Sequence, residues 1–161
     1  MVIVYESKSG FTKRYAEMLA AKTKLKVFRL DELSKVNQNE EIIFLGWIKM
    51  GNIVGLNKLR KHNIKAVCGS GTARTAEPNN EAVIARNKIK GIPFFYLRGG
   101  CFPLRELKGM DKILMYIFLL MLKFSKDKDE INAEKTAIIK NGFNGVKEEN
   151  LEPVLEWLNK R

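Results

Sequence analysis

Five short apolar runs, at residues 2–5, 26–30, 42–46, 65–69 and 93–97, recur along this chain with segments of helix length between them. No other feature restricts its fold as much. A short apolar run followed by enough residues for a helix is how a strand and its crossover read in a parallel sheet. The runs at 2–5 and 42–46 are continuously apolar rather than alternating, the pattern of strands buried on both faces. The expected fold class is therefore α/β: a doubly wound, five-stranded parallel sheet in the order 2-1-3-4-5, with helices on both faces. A chain of 161 residues buries roughly two-thirds of its unfolded surface without a disulfide or metal staple. No linker, repeat or low-complexity tract divides it, so a single domain over residues 1–161 is expected.

In such a sheet, ligands bind beyond the carboxyl ends of the strands, where the strand order reverses between the first and third. At the first of those ends stand Ser7-Lys8-Ser9-Gly10-Phe11-Thr12, ahead of a helix-patterned stretch at 13–24. A turn of hydroxyls and backbone N–H groups at the positive end of a helix dipole suits a phosphate dianion without a metal. The same hexamer also reads as an ordinary N-cap turn, with Ser9 or Thr12 satisfying the first helical N–H groups. It lacks the Gly-Lys-Ser/Thr ending of an NTPase loop and the glycine spacing of a dinucleotide fingerprint, so a mononucleotide cofactor suits it better than ATP or NAD.

The turns after the third and fourth strands should flank the same crevice. Gly46-Trp47-Ile48-Lys49-Met50-Gly51-Asn52 is expected to be a glycine-bracketed loop, with Trp47 either stacking on a planar ring or sitting at the core edge. Cys68-Gly69-Ser70-Gly71-Thr72-Ala73-Arg74-Thr75 is rich in small residues, which let a backbone approach a flat ligand closely or simply form a surface loop.

Other chemistries find little support. The net charge of +11 attracts anions of any kind, but no zinc-finger spacing, RNP-like strand or basic heptad region points to nucleic acid. Cys68 and Cys101 form no CxxC and read as structural thiols of a reducing compartment, and the single His62 builds no metal cluster. Met1 leads straight into a strand with no signal-peptide pattern, so a cytoplasmic location is expected. Gly46-Trp47 occupies the place of a phospho-accepting aspartate, and the first turn has no Cys-x5-Arg loop. Any reactive group is expected to come with a cofactor.

Together the three turns resemble the flavodoxin family, whose first loop carries a Ser/Thr-x-Ser/Thr-Gly-x-Thr pattern. Thr72-Ala73-Arg74 after the fourth strand, and the later Phe102-Pro103-Leu104 through Met110-Asp111-Lys112, resemble the flavodoxin-domain branch that includes menaquinone-dependent protoporphyrinogen oxidase. The resemblance implies FMN as cofactor. Ser7, Lys8, Ser9, Gly10, Phe11 and Thr12 would hold its phosphate. Gly46, Trp47, Ile48, Lys49, Met50, Gly51 and Asn52, with Ser70, Gly71, Thr72, Ala73 and Arg74, would line the flavin. It further implies electron transfer with a quinone or a redox partner protein, the alternatives being a non-enzymatic carrier or a flavin-free scaffold. Carriers of this family are typically acidic and often stack a tyrosine from the third loop on the flavin. This chain is basic, and residues 69–78 contain no aromatic.

One segment stands apart: Leu114-Met115-Tyr116-Ile117-Phe118-Leu119-Leu120-Met121-Leu122, apolar all round and framed by Asp111-Lys112 and by Lys123, with Lys126 and Lys128 beyond. A nine-residue helix of roughly 14 Å cannot cross a hydrocarbon slab of about 30 Å. It is expected to cover the sheet, to make peripheral contact with the inner face of a membrane, or to close a homodimer.

Overall fold

The computed structural model describes residues 1–76, 79–124 and 130–161. Along the chain run β1 (Val2–Glu6), α1 (Phe11–Thr23), β2 (Lys26–Arg29), β3 (Glu41–Lys49), β4 (Asn52–Ile53), β5 (Asn63–Gly71), α2 (Asn80–Arg86) and β6 (Phe94–Arg98). There follow β7 (Gly100–Cys101), α3 (Gly109–Phe124), α4 (Glu130–Asn141), β8 (Phe143–Asn144) and α5 (Glu152–Asn159). Contacts divide these into two compact units, residues 1–99 with 145–161, and residues 100–144.

The first unit is the α/β sheet. Its strands lie in the order β2-β1-β3-β5-β6, all parallel, with β4 added antiparallel to β3. Counting parallel strands alone, this is the expected 2-1-3-4-5 order, and the short β4 is the addition. Side chains alternate between two cores. Val2, Val4, Ile42, Phe44 and Val67 enter one, while Ile3, Ile43, Leu45, Ala66 and Cys68 enter the other. Burial on both faces is why the runs carry no polar alternation.

The two faces are covered differently. Phe11, Tyr15, Ala16 and Leu19 of α1, with Leu151 and Val154 at the chain end, seal one face by helix packing. On the other, the crossovers at 30–40 and 54–62 are too short for a helix with its turns. They form 3-10 turns at Leu30–Lys35 and Leu56–Leu59, which insert Leu30, Leu56 and Leu59, and the seven-residue α2 adds Val83.

The second unit pairs β7 with β8 in a two-stranded antiparallel ladder and carries α3 and α4. Gly142, at φ 67°, ends α4 where a Cβ would lie 2.6 Å from the Pro103 nitrogen, so only glycine fits. The apolar segment is longer than its sequence suggested: α3 has 16 residues, roughly 24 Å, and buries none of them.

Candidate functional site

All five parallel strands end on one side of the sheet, and the turn at residues 7–10 lies at the switch in strand order. It carries the chain from β1 into α1, which starts two residues before the helix pattern suggested. Gly10 is the N-cap residue, at φ 86° and ψ −15°, and a Cβ placed there would meet nothing within 4 Å. Backbone twist, not crowding, demands the glycine, and a side chain there would enter open space. Ser7 Oγ accepts a hydrogen bond from the Gly10 N–H at 3.1 Å, and the Gly10 carbonyl accepts one from the Arg14 N–H at 3.0 Å. The N-cap glycine offers no side-chain cap, and no acidic residue lies in the first turn of α1. The cap reading for Ser9 or Thr12 is thus not realised: Ser9 is exposed, and Thr12 is buried without capping. The 13-residue helix therefore starts with no acidic residue to offset the positive end of its dipole.

Residues 46–52 do not form the expected loop. Strand β3 continues to Lys49, turns at Met50-Gly51 and returns as β4, pairing Lys49 with Asn52 and Ile48 with Ile53. Met50 and Gly51 have φ of 49° and 78°, the positive values a two-residue hairpin turn requires. Distant side chains hold the hairpin. Asn87 donates from Nδ2 to the Gly51 carbonyl at 2.8 Å and accepts from the Ile53 N–H at 2.8 Å, and Arg86 donates to the Met50 carbonyl at 2.7 Å. A Cβ on Gly46 would lie 2.6 Å from Ile53 Cγ2, so that glycine makes room for the returning strand. Ile48 packs against the core. Trp47 is half-buried, and the Lys8 ammonium lies 5.9 Å from its ring centroid, which joins the first turn to the end of β3. Lys49 and Met50 are exposed.

Strand β5 likewise runs further than expected. Ser70 and Gly71 belong to it, and Ser70 is buried in register with Trp47 and Leu97. Thr72, Ala73, Arg74 and Thr75 form the bend beyond. Nothing within 69–78 points to the aromatic that shapes this bend, because Tyr96 arrives from β6. Its hydroxyl donates to the Ala73 carbonyl at 2.8 Å and would lie 2.7 Å from a Cβ on Gly71. Its one signal in sequence is a polar-tipped ring inside an apolar strand, a hydroxyl that needs a partner.

Around these segments the polar groups are fixed. Tyr15 of α1 donates to the Arg98 carbonyl at 2.6 Å, and Asn150 donates to the Tyr15 hydroxyl at 2.5 Å, tying α1 to the end of β6. Burial raises the Tyr15 phenol pKa, against the opposing effect of the Asn150 hydrogen bond. Burial pushes the Cys68 thiol up to about 12 and raises Cys101 as well, so neither is a ready nucleophile. His62 sits in the turn entering β5, at the opposite end of the sheet. Among the described residues no group of three or more His, Cys, Asp or Glu side chains could hold a metal.

An open parallel sheet whose first helix begins at the switch in strand order defines a doubly wound α/β protein. The family model described as Flavodoxin domain matches residues 2–129, and the chain belongs to that family. No curated protein matches it significantly.

Proposed function

We propose that this chain is an FMN-binding redox protein. The observation that carries the reading is the start of α1: its N-cap is Gly10 in the left-handed region, with no side-chain cap from that residue, open space beside its Cα and no acidic residue in the first turn. The residues fit a phosphate monoester. Ser7, Ser9 and Thr12 offer hydroxyls, the first turn of α1 after Gly10 offers backbone N–H groups, and Lys8 adds charge. Trp47, Lys49 and Met50 on one side and Thr72, Ala73 and Arg74 on the other would flank the ring system, while Gly46, Ile48, Gly51, Asn52, Ser70 and Gly71 form the frame that positions them. Bound FMN would supply the reversible electron transfer. The chain's own part is to anchor the phosphate, screen the ring from water and set the local charge with Lys49 and Arg74.

Within this reading, a quinone-linked oxidoreductase of the protoporphyrinogen oxidase type is supported by Thr72-Ala73-Arg74 beyond the fourth parallel strand and by the net charge of +11. An electron carrier that docks a redox partner protein is the alternative, and a cytoplasmic location suits both. The test is an absorption spectrum of the purified protein, with mass identification of what denaturation releases. Flavin bands and FMN are expected; colourless protein that takes up no added FMN refutes the reading. Quinone reduction without a partner protein then separates the enzyme from the carrier.

A further inference from the structure

The exposed face of α3 has no role in the site above. Among the described residues, nine of its side chains are exposed large hydrophobics, from Phe118 at 41% to Phe124 at 78%, and only Met50 and Phe102 lie outside it. Such a concentration exceeds the scattered apolar exposure of ordinary surfaces. Tyr116, Ile117 and Phe118 are consecutive and all exposed. With about 100° between successive residues, the apolar arc spans about 200° of the helix. Lys112 and Lys123, eleven positions apart, fall within about 20° of each other along one edge of that arc.

We infer that α3 lies in the plane of an anionic phospholipid surface, with its apolar arc in the acyl boundary and Lys112 and Lys123 at the headgroups. Three observations choose this occupant. A partner helix covers a stripe near 100° or narrower, so it would leave about half of the arc in water, whereas a surrounding apolar medium covers all of it. At roughly 24 Å the helix is shorter than a hydrocarbon core of about 30 Å, and no helix among the described residues is long and apolar enough to cross a membrane. The net charge of +11 is complementary to acidic headgroups and opposes a second copy of the same chain. Long lysine stems at the edge of the arc place their ammonium groups among phosphates while their methylenes remain in apolar surroundings.

Vesicles of phosphatidylcholine and phosphatidylglycerol in equal parts, and of phosphatidylcholine alone, test this with the full chain. Co-sedimentation with the mixed vesicles is expected, weakening as salt is raised. Lys112→Gln and Lys123→Gln should each weaken it roughly fivefold. Ile117→Gln with Met121→Gln, both exposed positions, should weaken it more than about tenfold while helicity and FMN content stay unchanged. Wild-type protein left in the supernatant of both vesicle types overturns the inference, and so does a glutamine variant that sediments like wild type. A stable dimer that Ile117→Gln dissolves, without vesicle binding, overturns it too and assigns the face to a second copy. FMN content is read in the same samples, so failure here is distinguishable from failure of the redox reading.

Discussion

Gly10→Asp is the sharpest perturbation of the proposed site, because the structure separates its effect on folding from its effect on binding. No atom lies within 4 Å of a Cβ at this position, so an aspartate fits, and its conformational cost comes from φ 86° alone. Short polar side chains tolerate that region, which keeps the loss near 1 kcal/mol and the fall in Tm near 2–4 °C for a chain of this size. Binding responds much more strongly. A carboxylate about 4 Å from a phosphate dianion is repelled by about 2 kcal/mol at the dielectric constant of water and about 8 kcal/mol at an effective value of 20. FMN affinity should therefore fall at least about thirtyfold. Gly10→Asn has nearly the same shape and no charge, so the difference between the two variants isolates the electrostatic effect. Titrating apoprotein with FMN by flavin fluorescence, alongside thermal melts, measures both quantities. If Gly10→Asp binds FMN within about threefold of Gly10→Asn, the phosphate does not lie at the start of α1 and the argument from the uncapped helix fails.

The hairpin and the buried thiol yield two more tests. Asn87→Ala leaves the Ile53 N–H and the Gly51 carbonyl without their side-chain partner and should cost about 2–4 kcal/mol in urea denaturation; a loss below about 0.5 kcal/mol would mean that the hairpin holds itself. Cys68 ionises near 9.0 when unfolded and near 12 in the fold, so the unfolded chain gives up its proton first. Stability from this group is therefore complete below about pH 9 and declines as pH rises toward about 12, by roughly 4 kcal/mol at most, with the raised Tyr15 phenol adding in the same direction above 10. Urea titrations should show a shallower alkaline decline in Cys68→Ala than in wild type, and parallel curves would contradict this assignment.

What the sequence determined by itself was everything encoded locally. Continuous apolar runs report strands buried on both faces because each side chain in them meets a helix or a 3-10 turn, and the spacing of those runs leaves few topologies other than the parallel sheet. The turn between β1 and α1 was legible for the same reason: an apolar run, a stretch of small hydroxyl residues with glycine and a helix pattern follow one another directly along the chain. Only the tertiary structure decided the rest of the site. Met50 in a positive-φ turn has no sequence signal, and its hairpin is held by Arg86 and Asn87, 36 residues away from the carbonyls they bind. Tyr96 reaches the third bend across a strand pair rather than along the chain. The crossovers at 30–40 and 54–62, too short for a helix with its turns, close the core with Leu30, Leu56 and Leu59 instead. For α3 the composition of an apolar helix is the same whether it is buried or bare, and burial depends on which neighbours the fold sets against it.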